Sequence, residues 1–271
     1  MPKSQAQLRN EAIPQTLNTY DPNVFPAFSE ALNTYFPGAI PMNKYMRKTF
    51  QRLSAYDFSD ENTMAMIAVC RDEMAEALFI EVIRYWGKTF NCCSLAGFVM
   101  MGKTGLAAAT DHTPIVDGRR RFTFYAMPHV AISRYGEVGK LYRDGLQKAS
   151  HACGALEGIT EELARGQLKL EMDMQDIEQT IIRQKILSTI TYGAKPNLIE
   201  ITKLASKIIS LDVENLLNTL DKDAFKYAVL TGIQIHGPLN SQWIYPQDFY
   251  VVGSDLPEGK EHIKFFEESQ N

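Results

Sequence analysis

The sequence predicts an α/β protein, with a central, mostly parallel sheet flanked by helices and a helical N-terminal extension ahead of it. Three observations carry this. From Thr63 onward, short apolar runs alternate with stretches of helical periodicity, the pattern of parallel strands joined by crossover helices. Before that point Pro14, Pro22, Pro26, Pro37 and Pro41 punctuate short helical patterns. The chain has 271 residues, of which 45% are apolar, enough to bury a large core. Residues 1–60 are assigned to the extension and residues 61–271 to one α/β domain.

In the extension, AFSEALNTYF and NKYMRKTFQRLSAY space their apolar residues as helices do. TMAMIAVC (63–70) reads as a buried strand, and DEMAEALFIEVIRYWG (72–87) as the helix after it, acidic in its first turn and stopped by Gly87. RRFTFYAMPHVAIS holds a second strand over 121–127, broken at Pro128-His129. Helices are expected from near Cys153 through GALEGITEELARG, over 173–191 and over 197–220. The last strands are KYAVLTGIQIH (226–236) and DFYVVG (248–253).

A formal charge of −4 and a pI near 5.8 give no basic bias, and Arg119-Arg120-Arg121 is the longest basic run, so no nucleic-acid partner is predicted. No apolar stretch approaches the roughly 20 residues of a membrane span, and MPKSQAQLRNEAIPQ lacks the apolar core of a secretory signal. The expectation is a protein of a reducing, soluble compartment. Four cysteines, Cys70, Cys92, Cys93 and Cys153, make no disulfide framework in a chain of this length, which leaves metal binding, catalysis or burial.

GFVMMGKTG (97–105) matches the phosphate-loop pattern G-x-x-x-x-G-K-[ST]. A working loop wraps backbone N–H groups around phosphate through small or polar residues. Here Phe98, Val99, Met100 and Met101 occupy those positions, and leaving each exposed would forgo about 1.5–3 kcal/mol of burial. No later strand ends in an Asp suited to magnesium. The segment is therefore read as a glycine-turned junction between strand and helix, with Lys103 and Thr104 facing a cleft for some other anion.

Open α/β sheets bind ligands beyond the carboxyl ends of their strands. Cys70-Arg71-Asp72-Glu73 follows the first strand, Pro128-His129 the second, and a loop then leads to Cys153. Cys70, His129 and Cys153 could form a Cys2His zinc site with a fourth position open to water. Each has a plainer role open to it: His129 capping a turn, Cys153 as a small apolar residue at a helix start, Asp72 as a first-turn carboxylate.

Several motifs in order, CRDE (70–73), GFVMMGKTG, FYAMPHVAISRYGEVGKLYRDG (124–145), HACGAL (151–156), TGIQIHG (231–237) and FYVV (249–252), resemble the limiting-CO2-inducible protein B family of β-carbonic-anhydrase-like, or theta-class, proteins. The resemblance implies a β-carbonic-anhydrase-like fold, usually a homodimer, with zinc (Zn2+) held by Cys70, His129 and Cys153 and an Asp72–Arg71 pair beside it. It implies a carbonic anhydrase that hydrates CO2 to bicarbonate by zinc-bound hydroxide. The alternative is a catalytically silent member that binds bicarbonate or serves assembly in CO2 concentration. The location implied is cytoplasmic, or the plastid stroma if a leader was removed. Ordinary β-carbonic anhydrases carry C-x-D-x-R, which would put Arg at Met74, and an H-x-x-C that is replaced here by a wide separation. His151, His112 and Tyr125 are candidate proton relays. His236 is a cleft-lining candidate better read as structural, and Cys92 and Cys93 as core.

Overall fold

The computed structural model describes residues 24–143 and 145–265. Residues 1–23 of the predicted extension, with Pro14 and Pro22, lie outside the described residues. Two helices open the described chain, α1 (Pro26–Tyr35) and α2 (Met42–Ser54). Pro26 stands in the first turn of α1, where its missing N–H has no intrahelical acceptor to lose. Between the helices β1 (Ile40–Pro41) pairs antiparallel with β10 (Gln242–Val252), so the N-terminal segment supplies one side of the sheet.

β2 (Met64–Ala68) is buried at every position, as a strand covered on both faces must be. Asp72 then caps a short 3₁₀ turn (Glu73–Ala75) that runs into α3 (Glu76–Trp86), ended by Gly87 at φ 70°. β3 (Thr89–Asn91), α4 (Gly102–Asp111), β4 (Ile115–Val116), β5 (Arg119–Ala126) and β6 (His129–Ala131) follow. β7 (Lys140–Leu141) and β8 (Ser150–His151) make a separate ribbon. Three helices come next, α5 (Gly154–Arg165), α6 (Ile177–Leu187) and α7 (Leu198–Leu217), then β9 (Phe225–His236), β10 and β11 (Lys260–His262).

The main sheet runs β1-β10-β9-β5-β2-β3. β9, β5, β2 and β3 are parallel, and β10 with β1 continues the sheet antiparallel. One core joins β2 and β5 to Leu78, Val82 and Trp86 of α3 and to Ile201, Ala205 and Ile209 of α7. From β2 the chain builds outward to β3 and then returns to β5 on the other side. The gap between the carboxyl ends of β2 and β5 is thus the place where strand order reverses, where open α/β sheets present a crevice.

Among the boundaries that differ from the sequence reading are those of α6 and β10. α6 begins at Ile177 because Asp173 turns the chain locally, its carboxylate accepting from Gln175 N at 2.9 Å. It ends at Leu187, where the hydroxyls of Ser188 and Thr189 donate back to Lys185 O. β10 begins at Gln242 rather than 248, its register breaking between Pro246 and Phe249, where proline has no N–H for the ladder. In GFVMMGKTG, Phe98 is buried and Val99, Met100 and Met101 pack against the core. Gly97 is required there: at φ +74°, any Cβ would come 2.3 Å from the Met127 carbonyl oxygen.

Candidate metal centre

The three proposed ligands meet at the β2/β5 crevice. Cys70 follows the end of β2, His129 opens β6 just past Pro128, and Cys153 is the residue before the first turn of α5. Their ligand atoms all lie within 4.8 Å of one another, and all three residues are buried. The Cys70 thiol is pushed far down, chiefly by its hydrogen bond with Cys153 and against the opposing effect of burial. The same bond, together with burial, pushes the Cys153 thiol far up. A single proton held between two sulfurs explains both directions. Among the described residues His129 Nε2 is buried with no hydrogen-bond partner, a position that native structures rarely leave unfilled. Two sulfurs and one imidazole nitrogen at this spacing could hold a metal ion, and they are the donor set that suits zinc.

A buried polar chain supports His129 from the far side. His129 Nδ1 lies 2.8 Å from His236 Nε2, and His236 Nδ1 lies 2.8 Å from Gln242 Oε1. Gln234 Nε2 also donates to Gln242 Oε1, at 3.2 Å. Sheet register builds the chain: His129 is opposite Gln234 in the β6/β9 pairing, and His236 is opposite Gln242 in the β9/β10 pairing. Burial and then the neighbouring His129 lower His236 to about 3, so it is a neutral imidazole. The structural reading of His236 locates it behind a ligand, away from the cleft wall.

Asp72 stands at the rim. Its Oδ1 accepts from Met74 N at 3.0 Å, and its Oδ2 lies 4.0 Å from His129 Nε2. Burial raises its carboxyl above the ordinary range. The Asp72–Arg71 pair implied by the family resemblance is not made. Arg71 points outward, donates to the Glu178 carboxylate and reaches Cys93 O at 3.4 Å. Glu178, on α6, is itself anchored by Leu95 N at 2.8 Å. The other nearby guanidinium, Arg143, is 2.6 Å from Glu73. Met74, where an ordinary β-carbonic anhydrase would carry Arg, packs against Ala131, Leu141 and Ala152.

A cavity of about 370 Å³ is lined by Cys70, Arg71, Asp72 and Glu73, with Val69, Phe79 and Cys93 as its apolar part; of the three clustered donors Cys70 alone lines it. Cys92 is in the core and its thiol is pushed up to about 12 by burial, whereas Cys93 is half-buried and lines the cavity. Tyr125 is fully buried and its hydroxyl accepts from Trp86 Nε1 at 2.9 Å, a core role. His112 is exposed against the Phe90 ring, and His151 is exposed and paired with Glu157 at 2.7 Å. Lys103 is exposed in the first turn of α4 and does not line the cavity. Sequence reasoning missed Gln242 and Glu178; only the register of β9 with β10 and the packing of α6 bring them in.

A family model described as limiting CO2-inducible proteins B/C beta carbonic anhydrases matches residues 39–253. The chain is similar to the crystal structure of limiting CO2-inducible protein LCIB, with 27% identity, a TM-score of 0.70, and coverage of 86% of this chain and 97% of that one. It shares its fold with PtLCIB4, a homolog of that protein, at 24% identity and a TM-score of 0.72 over 88% of this chain and 100% of that one. No curated protein matches the chain. Among the described residues no helix is long and apolar enough to cross a membrane.

Proposed function

The chain belongs to the family of limiting CO2-inducible proteins B/C beta carbonic anhydrases, and on that premise we propose that it is a zinc-dependent carbonic anhydrase interconverting CO2 and bicarbonate. The observation that carries the reading is the buried cluster of two sulfurs and one nitrogen, with His129 Nε2 lacking a hydrogen-bond partner among the described residues. When bound there, zinc supplies hydroxide from water near neutral pH. Cys70, His129 and Cys153 would hold it, and two thiolates neutralise its charge, so the polar groups around them matter more. Asp72 would accept a hydrogen bond from the attacking hydroxyl, which keeps its proton, and so would orient a lone pair toward the carbon of CO2. Val69 and Phe79 give CO2 an apolar wall. The active unit is taken to be a homodimer, which sedimentation equilibrium tests.

The experiment is metal analysis joined to stopped-flow CO2 hydration. We expect about one zinc per chain, loss of metal in Cys153→Ser, and retention of metal in Asp72→Asn with hydration lowered about a hundred-fold or more. Full hydration by a metal-free preparation overturns the reading.

One observation favours a second reading, a silent member that binds bicarbonate or serves assembly. With Arg71 engaged by Glu178, no arginine among the described residues pairs with the Asp72 carboxylate to hold it away from the ligand cluster. A carboxylate free to enter the fourth position closes the site. Zinc bound at full occupancy with no hydration above buffer selects this reading.

A further inference from the structure

We infer that Gln242, acting through His236, fixes which nitrogen of His129 carries a proton and so presents a lone pair at Nε2 before any metal arrives. The inference deepens the proposed metal site and rests on the reading that Cys70, His129 and Cys153 bind zinc.

The hydrogen bonds fix the proton positions from the far end of the chain inward. A carbonyl oxygen can only accept, and Gln242 Oε1 already accepts from Gln234 Nε2. His236 Nδ1, 2.8 Å from that oxygen, must therefore be the donor. A neutral imidazole with its proton on Nδ1 has its lone pair on Nε2, which becomes the acceptor for His129 at 2.8 Å. His129 thus carries its proton on Nδ1, and the lone pair of its neutral form lies on Nε2, the buried atom with no hydrogen-bond partner among the described residues. His129, Gln234 and His236 are 0% exposed and Gln242 8%, so water does not scramble the order. The ring planes are 77° apart with centroids 5.0 Å apart, a twist about the Nδ1···Nε2 axis that leaves the 2.8 Å contact intact. Gln242 is a positioning residue: it touches neither the metal ligands' donor atoms nor the cavity.

Two-bond ¹H–¹⁵N spectra of the metal-free wild-type protein read the tautomers directly. The expected result is His236 protonated on Nδ1 and His129 carrying a proton on Nδ1. His236 protonated on Nε2 overturns the inference, whatever the variants do. Gln242→Met keeps the side chain's size and removes the acceptor. It is expected to shift part of His236 to the Nε2 tautomer and to weaken zinc binding about ten-fold or more in a chelator competition. His236→Gln offers an amide oxygen where Nε2 stood and accepts from His129 without help from Gln242. In that background Gln242→Met is expected to change zinc affinity by less than about two-fold. An equal loss in both backgrounds would mean a packing role and sinks the idea. If wild-type protein takes no zinc, the metal reading fails, while the spectra still decide the relay.

Discussion

At Asp72 one carboxylate has two duties that substitution can separate. Oδ1 satisfies a backbone N–H at the start of the 3₁₀ turn and Oδ2 faces His129. Asp72→Asn keeps an oxygen for the cap, so its thermal melt is expected to stay close to wild type while hydration falls. Asp72→Ala also loses the cap and is expected to cost about 1 kcal/mol of stability, read by urea unfolding. That Cys70, His129 and Cys153 come together was legible because each follows a strand end or opens a helix, and because the family resemblance singled out these three over plainer roles. The partner of Arg71 was not legible. Glu178 lies on a helix remote in sequence, and nothing in CRDE says which way the guanidinium turns.

Elements hold the site from beneath as well as around it. Gly97 lets the segment after β3 pass against the Met127 carbonyl, next to the Pro128-His129 step. Gly97→Ala is expected to cost on the order of 1–3 kcal/mol for backbone strain alone and to lower zinc content by displacing His129; urea unfolding with metal analysis checks both. At the opposite end of the sheet, Lys226 of β9 and Arg119 of β5 converge on Asp255, at 2.7 and 2.5 Å. Burial alone would raise that carboxyl, but the two cations hold it at about 2. A depressed carboxyl stabilises above its unfolded value of about 3.9 and loses that contribution as pH falls through its folded one. Asp255→Asn is therefore expected to cost about 1 kcal/mol at neutral pH, a figure kept small because Asp255 is 38% exposed. The difference from wild type should vanish between pH 4 and about 2 in urea titrations. Strand β9 was readable in the sequence from the apolar and β-branched run YAVLTGI at its centre. The first half of β10 was not, because Pro246 and the polar residues beside it hide a strand that a bulge accommodates.

For the whole molecule, metal and fold are expected to stabilise each other, since three elements far apart in the chain must assemble before the donors meet. Zinc at a hundred times its dissociation constant is expected to add about 2.7 kcal/mol to unfolding, and stripping it to lower the melting temperature, as scanning calorimetry would read. The layer order was legible because alternating strand and helix signals specify a parallel sheet with few topologies open to it. The antiparallel β10, β11 and β1 were harder to place, because short strands and a proline edge carry little periodic signal. The buried hydrogen-bond chain has a consequence for the order in which the protein is made. The ribosome releases Cys70, then His129, then Cys153, and only much later the hairpin that carries His236 and Gln242. A growing chain therefore owns all its donor atoms before it owns the means to orient one of them, and the centre ripens last, when the C-terminal hairpin closes.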